Sequence, residues 1–138
     1  MKAILIFATT IDGKITRWDD PQVKKWTSVE DQRYFNQVWD DASLIVIGSR
    51  TFDADPIAPS KNHLLIVMTS RPEAYRRYRV EGQVEFSDAS PEDICHRFGA
   101  AGYERMLVAG GAHLATSFLK GGLIDEVWLT VEPRIFGR

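Results

Sequence analysis

The sequence is poor in several features that would each assign it to a functional class. Its single cysteine, Cys95, excludes an internal disulfide and is typical of a reducing compartment. No apolar run approaches the ~20 residues of a membrane-spanning helix. The net charge of −2 lacks the basic excess of proteins that bind nucleic-acid phosphates. Neither G-x-G-x-x-G nor G-x-x-x-x-G-K-[ST] occurs, which excludes the Rossmann and Walker motifs.

Signals for metal binding and export are absent from the sequence as well. His63, His96 and His113 lie far apart without the spacing of a metal site, so no metal is predicted. The apolar run after Lys2 is only about seven residues long and lacks a small-residue cleavage site, unlike a signal peptide. We therefore expect a cytoplasmic protein with no nucleic-acid or membrane partner.

The sequence does contain strand-like segments that alternate with helix-like segments over 138 residues, the size of one domain. Continuous apolar runs predict strands covered on both faces, as in a parallel sheet; they are Ala3–Ala8, Leu44–Ile47, Leu64–Met68 and Met106–Ala109. Val84–Phe86 predicts a further short strand. Near the end, alternation predicts a strand with Val127, Leu129 and Val131 on one face.

Three helices are predicted between these strands. Ser28–Ala42 places Asp31, Phe35, Val38 and Ala42 on one helical face. A second helix begins with Ser90 as N-cap and ends before Gly102. A third follows Gly111 and stops at Gly121-Gly122.

Glycines, hydroxyl residues and arginines follow the four apolar strands. The segments after them are Thr9–Lys14, Gly48–Thr51, Thr69–Pro72 and Gly110-Gly111. Such residues bind phosphate and ribose, and ligands of open α/β sheets bind at the carboxyl ends of strands. Arg50 and Arg71 favour NADP over NAD, because an arginine can pair with the extra phosphate. Two consecutive glycines suggest that something lies against bare backbone there.

Four segments resemble, in order and spacing, the dihydrofolate reductase superfamily. They are "TTIDGKIT", "VIGSRTFD", "IVMTSRP" and "VAGGAHLATSFLKGGLIDEVWLTVEPRIFG". Within it they look most like the reductase domain of the riboflavin-biosynthesis deaminase-reductases. The resemblance implies an α/β domain of three layers, with a central mixed, mostly parallel sheet flanked by helices. It also implies NADPH as hydride donor and a homodimer.

The resemblance assigns cofactor contacts residue by residue. Ala8 and Ile15 would line the nicotinamide pocket, and Gly48, Arg50 and Thr51 would hold the pyrophosphate. The 2′-phosphate would lie on Thr69, Ser70 and Arg71. The cofactor would lie on the backbone of Gly110, Gly111 and Ala112, and the glycine pair is expected to carry a cis peptide.

On the substrate side, the resemblance assigns Asp12 and Lys14 of the "IDGK" segment, with Trp26, Asp31 and Phe35. Asp31, on the apolar helix face, is the candidate proton donor, and Asp12 is the second catalytic candidate. Asp12 could instead only form an Asp-Gly turn, and Asp31 could only favour the helix dipole.

Two departures from the riboflavin-type pattern bear on the function. Ala109 replaces the glutamate that usually precedes the glycine pair, and the chain stops before the family's last strand or strands. The expectation is one reductase-like domain over residues 1–138 that reduces a C=N or C=O carbon of a pyrimidine- or pteridine-type molecule, as a 5-amino-6-(5-phosphoribosylamino)uracil reductase does. The alternatives are a dihydrofolate reductase and a non-catalytic nucleotide-binding module.

Overall fold

The apolar runs form one sheet in the computed structural model, which describes residues 1–10 and 29–132. Its strands are β1 Lys2–Thr10, β2 Leu44–Gly48, β3 Leu64–Met68, β4 Val84–Ser87, β5 Arg105–Val108 and β6 Glu126–Glu132. The helices are α1 Val29–Asp41, α2 Ser49–Ala54, α3 Pro91–Ala100 and α4 Ala112–Lys120, and a 3₁₀ helix spans Pro72–Tyr78. Every predicted strand is confirmed, with small differences at the ends.

The strand order across the sheet is β4-β3-β2-β5-β1-β6, and every neighbouring pair of these strands is parallel. A connection that contains a helix joins each strand to the next. It returns the chain to the end of the sheet at which the previous strand began. The predicted α/β fold with flanking helices is confirmed. The expectation of a mixed sheet is wrong for the described residues, because these crossovers make all the strands run in one direction.

Apolar side chains cover both faces of the sheet, as the continuous apolar runs predict. One layer, called the α3/α4 layer, contains the buried side chains of those two helices: Ile94, Phe98, Leu114 and Phe118. The other, called the α1/α2 layer, contains Phe52 of α2, with Val38 and Trp39 of α1 packed against it. The buried residues of the central strands therefore point into one or the other of these two layers, which fixes the register of those strands.

The ends of α3 follow the sequence signals. The Ser90 side chain accepts a hydrogen bond from the Asp93 N–H at 3.1 Å, and Pro91 is the first helical residue. Beyond the helix, Gly102 has a φ of 93°, which favours glycine. The sequence therefore predicted both ends of this crossover.

The strand β6 lies at one edge of the described sheet and shows the predicted alternation. Val127, Leu129 and Val131 are each about half exposed, whereas Trp128 packs against the α1/α2 layer. Within residues 1–10 and 29–132, no helix is long and apolar enough to cross a membrane.

Candidate functional site at the carboxyl edge

Four parallel strands end side by side. The end of the sheet at which their carboxyl termini lie is called the carboxyl edge. In the order β3, β2, β5, β1, the first three continue into Thr69–Arg71, Gly48–Thr51 and Gly110–Ala112. Neighbouring strands lie ~4.8 Å apart, so the three intervals from β1 to β3 span about 14 Å. Residues that are distant in sequence are thus brought to one edge, as predicted.

The chain connections change direction between β2 and β5. After β2, the chain passes through α2 to β3, with Phe52 in the α1/α2 layer. After β5, it passes through α4 past β1 to β6, with Leu114 in the opposite layer. A crevice forms where neighbouring strands connect in opposite directions, and ligands bind there in open α/β sheets. The topology therefore predicts a crevice here, called the β2/β5 crevice, bordered by Gly48–Thr51 and Gly110–Ala112.

Each of the two consecutive glycines at this crevice is required for a different structural reason. Gly111 is the N-cap of α4 and has a φ of 87°, in the left-handed region that favours glycine. Gly110 has no positive φ, but a Cβ there would lie 3.1 Å from both Cγ2 and Oγ1 of Thr51. The bare backbone predicted at the glycine pair therefore contacts Thr51, in the segment that leaves the neighbouring strand β2. Each segment that leaves a strand at the carboxyl edge is called an exit.

The expected cis peptide between these glycines is not present. Every peptide bond of the described residues is trans. The positive φ of Gly111 makes the turn from β5 into α4, so the chain reverses there with a trans bond.

The helices beside the crevice begin without a side-chain cap. Gly48 and Gly111 are the N-caps of α2 and α4, and among the described residues neither helix has a side-chain capping hydrogen bond. The first turn of α4 also contains no acidic residue, whereas α3 on the outer strand β4 has its Ser90 cap and two acidic residues. The first N–H groups of a helix have no partner within the helix and attract anions. Anion-binding donors therefore remain at the crevice.

Two arginines lie at neighbouring strand exits. Arg50 in α2 and Arg71 after β3 are both exposed. The Arg71 N–H donates to Thr69 Oγ1 at 3.1 Å, and the Thr69 N–H donates to the Ser87 carbonyl at 2.9 Å. These bonds hold the Thr69–Arg71 turn against β4 and leave the side chains of Ser70 and Arg71 exposed.

The rest of the predicted site is described only in part. Asp12, Lys14, Ile15 and Trp26 lie outside the described residues, as do the side chains of Ala8 in β1 and Asp31 in α1. Phe35 is half-buried against the α1/α2 layer, and its ring centroid lies 5.7 Å from that of Trp39. The roles of these residues toward nicotinamide, substrate and proton stay predictions.

Sequence reasoning missed a polar contact that joins two exits. Tyr75 in the 3₁₀ helix donates its hydroxyl to both carboxylate oxygens of Asp53 in α2, at 2.9 and 3.0 Å. Its ring stacks on Phe86, with centroids 4.8 Å apart. Burial, and then the Asp53 carboxylate, raise the pKa of the Tyr75 phenol. The two residues are 22 positions apart and belong to no motif, so no local signal identified the contact.

Other notable groups lie away from the carboxyl edge. His63, just before β3, is 8% exposed, and its Nδ1 has no hydrogen-bond partner among the described residues. A groove of about 760 Å³ lies near the amino ends of β1, β2 and β5, with Tyr34 and Trp128 in its lining. Within the described ranges, no cluster of histidine, cysteine or acidic residues could hold a metal ion.

The all-parallel sheet with its crevice defines an α/β protein with the dihydrofolate-reductase-like fold. More narrowly, the chain belongs to the RibD C-terminal domain family, whose model matches residues 1–138. The resemblance to the reductase domain of the riboflavin-biosynthesis deaminase-reductases is thereby confirmed.

Individual relatives are distant in sequence but similar in structure. Uncharacterized protein YwjB of Bacillus subtilis (strain 168) is 24% identical over 142 residues, which cover 99% of this chain and 79% of that protein. The diaminohydroxyphosphoribosylaminopyrimidine deaminase/5-amino-6-(5-phosphoribosylamino)uracil reductase of Thermotoga maritima matches with a TM-score of 0.74 and 20% identity over 99% of this chain. A Shewanella sp. PV-4 protein named for riboflavin biosynthesis matches with a TM-score of 0.75, 24% identity and 99% coverage.

The coverage of these two structures differs. This chain spans 46% of the Thermotoga protein, about half its length, and 80% of the Shewanella protein. At such identities the structural likeness shows the fold. The family and its relatives together point to a reductase-like enzyme fold.

Proposed function

We propose that this protein is an NADPH-dependent reductase that transfers a hydride to a C=N or C=O carbon of a pyrimidine- or pteridine-type molecule, as in riboflavin biosynthesis. Membership of the RibD C-terminal domain family supports the reductase class and the pathway. The geometry of the carboxyl edge supports the cofactor. The cytoplasmic location expected from the sequence stays a prediction.

One observation carries the cofactor proposal: the helix α4 begins uncapped at the β2/β5 crevice, and Arg50 and Arg71 lie on neighbouring exits. The capped start of α3, one strand further out than β3, shows that this chain can cap a helix at the same edge. Backbone donors and two guanidinium groups at one edge match the several phosphates of a dinucleotide.

The residues present fit NADPH from the crevice outward. The backbone of Gly110, Gly111 and Ala112 would contact the cofactor through groups that Thr51 does not cover, while Gly48, Arg50 and Thr51 would hold the pyrophosphate. Thr69, Ser70 and Arg71 would hold the 2′-phosphate, which NADH lacks. NADPH, when bound, supplies the hydride. The protein needs only to orient the two reactants and to exclude water.

The substrate side of the reaction rests on the resemblance. Asp31, in the first turn of α1, is the proposed proton donor to the reduced group, directly or through a water molecule. Asp12 is the second catalytic candidate, and Lys14, Trp26 and Phe35 are proposed substrate contacts. Ala109 stands where riboflavin-type relatives carry glutamate, so both pyrimidine and pteridine substrates are to be assayed.

The first experiment is a titration of the protein with NADPH and with NADH, followed by the fluorescence of its four tryptophans. We expect tighter binding of NADPH, because only NADPH can pair with Arg71. Arg71→Ala should lose about 1.5–3 kcal/mol of NADPH binding, the free energy of a hydrogen bond to a charged group. That corresponds to about 10- to 150-fold in Kd, with NADH almost unchanged.

Arg79→Ala is the matched control, because Arg79 is another exposed arginine just beyond the 3₁₀ helix. Equal losses in both variants would indicate a diffuse charge effect instead of a 2′-phosphate site. No binding of either nucleotide by folded protein would overturn the cofactor proposal. Binding without turnover of any pyrimidine or pteridine would favour the non-catalytic module, and tight methotrexate binding would favour a dihydrofolate reductase.

We further propose that the protein is a homodimer that pairs through β6. Among the described strands β6 is an edge, and its Val127, Leu129 and Val131 side chains are 49, 50 and 57% exposed. An apolar edge strand favours pairing with another chain. Light scattering after size exclusion should give twice the mass of 15.6 kDa. Leu129→Lys should give the monomer, and a monomeric parent protein would refute the proposal.

A further inference from the structure

The Tyr75–Asp53 contact joins the two exits that carry the arginines. Asp53 belongs to α2, whose first turn contains Arg50 and Thr51. Tyr75 belongs to the 3₁₀ helix that begins directly after Arg71. Tyr75 lies four residues after Arg71, about 8 Å at the rise of a 3₁₀ helix. The hydroxyl of Tyr75 therefore connects the Gly48–Thr51 exit to the Thr69–Arg71 exit.

Among the described residues, α2 is also held by the ring contacts of Phe52 and by the close approach of Thr51 to Gly110. The helix has six residues, too short to be stable by itself. Its buried anchor is Phe52, whose ring contacts Tyr75, Tyr78 and Phe86 edge-on at centroid distances of 5.9, 5.5 and 5.3 Å. Ring contacts are less directional than hydrogen bonds, so they restrain the rotation of the helix less tightly.

The hydrogen bonds of Tyr75 restrain the rotation of α2 more tightly. Its hydroxyl donates to both oxygens of Asp53, at 2.9 and 3.0 Å. A rotation of α2 would break these bonds and would move Arg50 relative to Arg71.

We propose that Tyr75 is a positioning residue for cofactor selectivity, because its hydrogen bonds to Asp53 set the separation between the Gly48–Thr51 and Thr69–Arg71 exits. The inference rests on the proposed function. NADPH would contact both exits at once, through its pyrophosphate and its 2′-phosphate, and so depends on their separation. NADH has no group for the second exit and does not depend on it. The hydroxyl of Tyr75 thus favours NADPH without touching it.

The test compares NADPH and NADH binding in Tyr75→Phe, which keeps the ring stack on Phe86 and removes only the hydroxyl. We expect about a fivefold rise in the Kd for NADPH, the lower end of coupling between sites, and a change below about twofold for NADH. Tyr78→Phe is the matched control: Tyr78 also contacts Phe52, but its hydroxyl makes no hydrogen bond among the described residues. The unfolding midpoint is measured for each variant.

A second variant separates positioning from electrostatics. Asp53→Ala removes the acceptor, so in that background Tyr75→Phe should have no further effect on the NADPH/NADH ratio. A further drop in that background would mean that the hydroxyl acts elsewhere and would overturn the proposal. An unchanged ratio in Tyr75→Phe, with parent protein that prefers NADPH, would also overturn it. Failure of the parent protein to bind NADPH would overturn the proposed function itself, and this inference with it.

Discussion

Substitution of Gly110 by alanine tests the close approach at the β2/β5 crevice without any cofactor. The added Cβ would lie 3.1 Å from Cγ2 and Oγ1 of Thr51, so Thr51 must move by a few tenths of an ångström. Overpacking of this kind costs about 1–3 kcal/mol. The backbone of Gly110 has no positive φ, so alanine also restricts the unfolded chain, which stabilises by about 0.4–1 kcal/mol. The expected net loss in the free energy of unfolding is about 1–2 kcal/mol.

Thr51→Ala should rescue this loss, because it removes both crowding atoms and leaves only the Cβ of residue 51, at an ordinary 3.5 Å. The double variant should unfold no more easily than Thr51→Ala alone, giving a coupling energy of about 1–2 kcal/mol. Urea unfolding, followed by tryptophan fluorescence, measures all four free energies. Additive effects of the two substitutions would refute the contact between Thr51 and Gly110.

Gly111→Ala is the internal control for this cycle. Its φ of 87° strains alanine by about 1–2 kcal/mol, while its added Cβ would lie at an ordinary 3.6 Å from Thr51 Oγ1. Thr51→Ala should therefore not rescue it. Rescue of both glycine variants by Thr51→Ala would contradict the structure, in which the approach of Thr51 requires glycine at 110 and the positive φ requires glycine at 111.

Two further predictions concern stability away from the crevice. Ser90→Ala should lower the free energy of unfolding by about 1 kcal/mol in urea titrations, because the Asp93 N–H loses its cap; an unchanged value would argue against this cap. Burial lowers the pKa of His63 below 6.5, with Asp40 acting in the opposite direction, so the unfolded chain takes up the proton more readily. Stability should therefore fall as the pH drops below about 6.5, until the folded His63 also becomes protonated. His63→Leu should remove that part of the pH dependence, and an identical profile in the variant would contradict the assignment.

The sequence was sufficient to predict features that depend on a few consecutive residues. Leu64–Met68 forms β3 with the predicted bounds, and the Ser90 cap and Gly102 turn occur where predicted. These features follow from short-range physical rules: apolar runs need two covering layers, and helix ends need partners for their backbone groups. For the same reason, glycines, hydroxyls and arginines at strand exits predicted the carboxyl edge as the candidate site.

Features that depend on which strands become neighbours were out of reach. The strand β5 pairs with β2, in the register Ile45–Leu107 and Val46–Val108, only after the chain has passed through β3, β4 and α3. No local pattern states that pairing, yet it alone brings Thr51 against Gly110 and makes the β2/β5 crevice. The Tyr75–Asp53 contact depends in the same way on β3 lying beside β2.

The contrast between Ser90 and Gly111 shows how the two kinds of information combine. Both residues are helix N-caps after parallel strands, and only Ser90 carries a side chain that can satisfy a backbone N–H. From the sequence alone, the missing cap at Gly111 is only a weaker helix start. The strand order shows where this uncapped helix start lies. Among the described strands, α4 begins at the one point where the connections of two neighbouring strands diverge, whereas α3 begins after the outer strand β4. Anion-binding donors thus remain where the fold forms a crevice, and the chain caps its helix where the fold forms none.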